Sequence, residues 1–213
     1  MKTSRILALA SVGLLAAACQ KPKPEAAAAA ATVEPGQNDS LPVVVLETTK
    51  GRIVMQLDRK AAPQTVENIL AHVNAHFYDG LVFHRVERGF VIQAGILTAA
   101  GMEKRSSAPP VPNEAENGLK NVRGSVGLAR EADPQSGGVQ FYINLADNAA
   151  TLDFRAKTAK DWGYAVFGHV IQGMDVVDKI AAVPVMLHGN YDRLPVDPVI
   201  ITKAYVQVDT ATR

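Results

Sequence analysis

Two hydrophobic periodicities divide the chain. Runs of β-branched and aromatic residues, alternating or continuous, predict strands over residues 43–47, 52–57, 81–86, 90–94, 125–129, 140–145, 165–170 and 199–208. Thr48-Thr49-Lys50-Gly51 between the first two reads as a hairpin turn. A helical period appears over residues 63–76, where Val66, Ile69, Leu70 and Val73 share one face and Pro63 suits the first turn. A shorter helix is expected over 174–180. It opens after Gly173 and carries Asp175 in its first turn, where a helix N-terminus favours negative charge. Eight strands and two helices argue for a mainly β fold, a closed eight-stranded antiparallel barrel capped by two α-helices. Periodicity alone leaves a β-sandwich as the alternative.

The N-terminal stretch follows neither period. Lys2 and Arg5 form a short positive start, residues 6–18 are apolar, and small residues lead to Cys19. This is the pattern of a secretory signal peptide, too short to remain as a spanning helix. Leu14-Leu15-Ala16-Ala17-Ala18-Cys19 resembles the bacterial lipobox, although Ala16 stands where leucine is favoured. The resemblance implies lipidation of Cys19, and since this is the single cysteine of the chain, no internal disulfide can form. The alternative is a plain signal peptide cut near Ala18. Gln20 is not the aspartate that retains lipoproteins at an inner membrane, so a periplasm-facing outer-membrane location is expected. Residues 20–41 are rich in Pro and Ala, without periodic apolar positions, and read as a tether. The expected organisation is signal peptide 1–18, tether 19–41 from lipidated Cys19, and a folded domain over 42–213.

Composition narrows the partners. The 213 residues, 47% hydrophobic and 20% charged, have the balance of a globular protein. With 22 Lys+Arg against 21 Asp+Glu the chain lacks the basic excess that a nucleic-acid partner calls for. No nucleic-acid partner is expected, nor any cofactor, and a monomer is expected.

The chemistry concentrates in Phe83-His84-Arg85-Val86-Glu87-Arg88-Gly89-Phe90-Val91-Ile92-Gln93. Strand alternation puts Phe83 and Arg85 on one face, and Val91 and Gln93 on another shared face beyond the Glu87-Arg88-Gly89 turn. Such a segment offers a cation, an amide and apolar walls, but no nucleophile paired with a base. His72 and His76, four apart on the predicted helix, have no adjacent glutamate pattern and no third ligand, so no metal site is expected. Asp153 is expected in a turn, His84 as a buried hydrogen-bonded residue, and Trp162 in a solvated basic loop.

This run resembles the active-site signature of the cyclophilins. The likeness continues through Asn117-Gly118-Leu119-Lys120-Asn121, Gly124-Ser125-Val126-Gly127-Leu128-Ala129-Arg130, Gln140-Phe141-Tyr142-Ile143-Asn144, Leu152-Asp153 and Gly163-Tyr164-Ala165-Val166-Phe167-Gly168. Gly173-Met174-Asp175-Val176-Val177-Asp178-Lys179-Ile180 is similar to the bacterial branch in particular. The resemblance implies a peptidyl-prolyl cis-trans isomerase acting on proline-containing polypeptides. By it, Arg85 lies over the prolyl amide and Gln93 anchors substrate backbone. Phe90, Val91, Tyr142 and Leu152 line a proline socket with Ala129 at its edge, and Tyr164 stands where many relatives place a histidine. Val91 replaces a common methionine and Tyr142 a common phenylalanine. Thr151 stands where cyclosporin-binding members have tryptophan, so cyclosporin sensitivity is expected to be weak. Ala94-Gly95-Ile96 departs from the usual Gly-Gly after the glutamine and is expected to alter a loop beside the site. The rival reading is a binding module or holdase using the same groove without catalysis.

Overall fold

The computed structural model describes residues 41–207. The element order is β1 (Val43–Thr48), β2 (Gly51–Leu57), α1 (Pro63–Asn74), β3 (Leu81–Glu87), β4 (Val91–Thr98), a 3₁₀ turn (Ala115–Asn117), β5 (Ser125–Leu128) and β6 (Phe141–Asn144). There follow α2 (Ala149–Leu152), β7 (Val166–Gln172), α3 (Met174–Ala181), β8 (Val185–His188), β9 (Tyr191–Pro195) and β10 (Ile201–Gln207).

Eight strands hydrogen-bond in the order β10-β1-β2-β7-β5-β6-β4-β3, with antiparallel neighbours throughout. The two edges, β3 and β10, meet through a thin seam. A single bridge joins Val82 to Ile200, and the Phe83 N–H donates to the Val199 carbonyl at 3.0 Å. The sheet is therefore a nearly closed barrel, as the strand pattern predicts, and closure removes exposed strand edges. The predicted turn is also present: Thr48 Oγ1 donates to the Gly51 carbonyl at 2.7 Å and accepts from the Lys50 N–H at 3.1 Å.

Both predicted helices lay their apolar faces on this barrel. Val66, Ile69, Leu70 and Val73 of α1 and Val176, Val177 and Ile180 of α3 join one core with Leu46, Ile53, Phe83, Phe141 and Phe167. Burying each such side chain contributes about 1.5–3 kcal/mol. The first turn of α1 has no side-chain cap of its own. The Glu114 carboxylate instead accepts from the Gln64 and Thr65 N–H groups at 3.1 and 2.9 Å, satisfying two orphan donors and complementing the positive helix end.

Two elements exceed the expectation. The short helix α2 follows β6, and the β8–β9 hairpin follows α3 as a separate two-stranded sheet. Val185, Met186 and Leu187 of β8 are exposed, so this strand has no buried face from which a sequence pattern could arise. Ala94-Gly95-Ile96 lies inside β4 rather than in a loop, because β4 runs on to Thr98. The expected signal peptide, Cys19 and most of the expected tether lie outside the described residues.

Candidate active site

One cross-sheet row carries the site. Arg85 of β3 is the register partner of Gln93 on β4, Gln93 of Tyr142 on β6, and Tyr142 of Gly127 on β5. Register partners point to the same side of a sheet, with strands about 5 Å apart. A cation, an amide and a phenol are thus aligned across roughly 10 Å.

Alternation alone puts Phe83 beside Arg85, and the structure corrects that expectation. Phe83 pairs with Ala94 and Arg85 with Gln93, so β3 advances two residues where β4 advances one. The extra residue, His84, makes a bulge that turns the pleat over. Phe83 is fully buried and meets the Phe141 ring edge-on at 6.5 Å. Arg85 faces the other way, with its side chain 40% exposed.

At the polar end, Arg85 Nη2 donates to Glu87 Oε2 at 2.6 Å and Nη1 to Gln93 Oε1 at 3.5 Å. The guanidinium carbon lies 5.7 Å from the centre of the Phe90 ring. Gln93 Nε2 donates to Gln140 Oε1 at 2.9 Å, so the Gln93 amide is held at both ends. Glu87 and Gln140 are site residues without a role in the sequence reading. The signal for Gln140 is its place two positions before Tyr142, hence on the same strand face.

At the apolar end, Val91, Tyr142 and Leu152 form a buried cluster separate from the main core, with Phe90, Ala129 and Tyr164 packed around it. These six are the residues the resemblance assigns to the proline socket. Local structure explains their convergence. Gly89, with φ +73°, lets the turn after β3 close through the Phe90 N–H donating to the Glu87 carbonyl at 3.0 Å. The Tyr164 N–H donates to the Leu152 carbonyl at 2.9 Å, joining the end of α2 to the stretch before β7. The Tyr142 and Tyr164 rings meet edge-on at 6.1 Å, and the Arg130 guanidinium lies 4.5 Å over Tyr164.

Tyr142, set where phenylalanine is common, disposes of its extra hydroxyl by donating to Asn121 Oδ1 at 2.7 Å. Burial first, then Tyr164 and Asp153, hold its pKa well above the ordinary phenol value against the pull of Arg130. It remains a neutral donor. Beyond Gln93 and Ala129 the surface opens into a groove of about 610 Å³ whose walls include Gln140, Lys104, Arg130 and Glu131.

His84 is buried, as expected, but its Nδ1 has no hydrogen-bond partner among the described residues. Burial, then the Arg85 charge, lower its pKa from 6.5 to about 4, outweighing opposite contributions from Gln140 and the Val82 backbone. The imidazole is therefore neutral at physiological pH. Below pH 6.5 the unfolded chain binds the proton that the folded chain refuses, so stability is full above that pH and falls towards pH 4. The expected loss from this group is roughly 2 kcal/mol between pH 6.5 and 5. Thermal melts across that range check it: a His84→Gln variant should show a shallower fall, and an identical slope would contradict the assignment.

The two helix histidines do not converge. Both His72 ring nitrogens are engaged, by the Asn68 carbonyl and Ser106 Oγ at 2.7 Å each, while His76 pairs with Asp79 beyond the helix end. Asp153 follows α2 and accepts from the Asn121 backbone and side chain. The basic loop over 155–160 is exposed, as expected, while Trp162 beside it is half-buried, with its Nε1 unpartnered among the described residues.

What this row can do is hold an apolar ring in a socket and present a guanidinium to the amide beside it. The comparisons agree. The family described as cyclophilin type peptidyl-prolyl cis-trans isomerase/CLD matches residues 43–206. The chain is 47% identical over 163 residues to the peptidyl-prolyl cis-trans isomerase cyp18 of Streptomyces antibioticus, covering 76% of this chain and 97% of that one. It is 42% identical over 164 residues to isomerase B of Escherichia coli, covering 77% and 99%. A solved cyclophilin-type isomerase of Cryptosporidium parvum shares the fold with a TM-score of 0.62 at 21% identity, covering 78% of this chain and 99% of that one. With the socket, the cation and the barrel all in place, the chain belongs to the cyclophilin family and is a peptidyl-prolyl cis-trans isomerase.

Proposed function

We propose that this isomerase serves proline-containing segments of cell-envelope proteins, with Arg85 and Gln93 as its catalytic residues and the Val91–Tyr142–Leu152 cluster as its socket. The observation that carries this reading is the row Arg85–Gln93–Tyr142, which sets a cation within one X–Pro unit of an apolar pocket. Rotation about an X–Pro bond meets a barrier of about 18–20 kcal/mol because the amide has partial double-bond character. No bond is broken, so the demand is for differential binding of the twisted amide. A donor at its nitrogen stabilises the lone pair that twisting localises there, while the socket holds the ring and Gln93 holds flanking backbone.

The isomerase and holdase readings separate in a protease-coupled assay with a proline-containing tetrapeptide anilide. Isomerisation above the thermal background is expected. Peptide binding with no such rate would favour the holdase.

The envelope assignment rests on residues 1–41. Cys19 is read as the acylated N-terminus of the mature protein, tethered by residues 20–41 to an outer membrane and facing the periplasm. Mass spectrometry of the mature protein should show acyl mass on Cys19, and an unmodified product beginning elsewhere would overturn the anchor.

A further inference from the structure

Behind the socket sits a fully buried asparagine, Asn121, in the stretch between the 3₁₀ turn and β5. Every polar atom of its side chain is used. Oδ1 accepts from the Tyr142 hydroxyl at 2.7 Å and from Asn144 Nδ2 at 3.2 Å. Nδ2 donates to Asp153 Oδ1 at 3.0 Å and to the Tyr164 carbonyl at 3.4 Å. Its backbone carbonyl accepts from the Asn148 N–H at 2.8 Å, and Asn148 Nδ2 in turn donates to the Phe90 carbonyl at 2.9 Å. The Leu152 N–H donates to the Asn148 carbonyl at 2.9 Å. Phe90, Tyr142, Leu152 and Tyr164 are thereby tied to one residue, directly or through Asn148. Only an amide offers two donors and a two-fold acceptor in this space: aspartate cannot donate to Asp153, and leucine cannot accept from Tyr142.

Gly127 supplies the other half of the arrangement. It is the register partner of Tyr142, and the phenol lies over it. A Cβ at Gly127 would stand 2.3 Å from both Cζ and Oη of Tyr142. Gly127 is not among the residues of positive φ, so glycine serves here as space rather than as backbone freedom.

We propose that Asn121 is the positioning residue of the proline socket, acting through the Tyr142 hydroxyl, and that Gly127 gives the room the hydroxyl-bearing end of the ring needs. The proposal rests on the socket reading above. It makes Tyr142 more than a substitute for phenylalanine: its ring is pinned at the far end, so the socket is set before substrate arrives. A proline ring is gripped in the ground state and during rotation alike. Loosening the grip therefore raises KM and leaves kcat nearly unchanged, a split that loss of folded protein would not produce.

The test is a double-mutant cycle on the purified domain with its N-terminal extension. Tyr142→Phe should raise KM about 3–10-fold with kcat within about twofold. Gly127→Ala should raise it by about tenfold or more, because the ring must swing away and strand a buried hydroxyl. In the Tyr142→Phe background the ring must still shift, because Cζ stands as close as Oη, but no hydroxyl is stranded, so the same alanine should cost at least about threefold less. Equal cost of Gly127→Ala in both backgrounds overturns the proposal, as does an unchanged KM in Tyr142→Phe. Asn121→Ala also removes bonds that hold the fold, so the cycle between residues 127 and 142 decides the matter. Leu152→Ala tells the two failures apart. If it leaves KM unchanged, the socket reading falls; if it raises KM while Tyr142→Phe does nothing, only the role of Asn121 falls.

Discussion

Arg85→Ala should lower kcat/KM by about 10²–10³-fold while the melting temperature stays within a few degrees of wild type. The size follows from removing one charge-assisted donor aimed at the atom where the lone pair develops, which in preorganised sites is worth about 3–4 kcal/mol. Two structural details sharpen the expectation. Glu87 Oε2, now 2.6 Å from the Arg85 guanidinium, would be left facing the amide unneutralised, which adds repulsion against a localised lone pair. Gln93 Oε1 would also lose its donor at 3.5 Å, leaving the amide of this proposed backbone anchor held only through Nε2 and Gln140. Stability is largely spared because the Arg85–Glu87 pair is only half-buried and keeps its water contact, and pairs near the surface contribute about 1 kcal/mol. Arg85→Lys keeps the charge but not the planar fork that reaches Glu87 and the substrate together, so an intermediate rate is expected. The protease-coupled assay reads both. A rate for Arg85→Ala within threefold of wild type would remove Arg85 from the catalytic role, whatever the family resemblance.

The strand pattern and the motif made most of this site legible before any coordinates. All eight barrel strands show themselves as β-branched or aromatic runs because each buries at least one face, and the six residues that the resemblance places around a socket form one cluster. What stayed hidden has a common physical cause. Strand β8 exposes all its residues, so burial imposes no period on its sequence. The bulge at His84 reverses the alternation on which the Phe83–Arg85 expectation rested, and a bulge without glycine leaves no local mark. The Glu114 cap on α1 and the Asn121 hub depend on partners far away in the chain, which neither propensity nor spacing encodes. A polar residue destined for full burial looks, in sequence, like any surface asparagine.

A large stability effect is expected at Gly95, where Gly95→Ala should destabilise the domain by ~4 kcal/mol and also weaken activity in the molecules that still fold. Gly95 holds φ +125°, a region closed to side-chain-bearing residues, in the middle of β4. A Cβ there would stand 2.7 Å from the Val139 carbonyl oxygen and 2.8 Å from Gln140 Cα, both backbone atoms that cannot rotate aside. Either β4 must change its torsion and lose pairing, or the chain entering β6 must retreat. Retreat moves Gln140, whose side chain holds Gln93 at 2.9 Å and whose carbonyl accepts from the Ala129 N–H at 2.9 Å. The strain therefore runs straight into Gln93, the proposed substrate anchor, and Ala129, at the edge of the proposed socket. Gly89 provides the comparison: its φ is +73°, but nothing lies within 4 Å of a Cβ placed on it. Gly89→Ala carries only the torsional cost, about 1 kcal/mol. Denaturant titrations should show a much lower midpoint for Gly95→Ala at an unchanged slope, and a loss no greater than that of Gly89→Ala would mean β4 can yield without disturbing its neighbour.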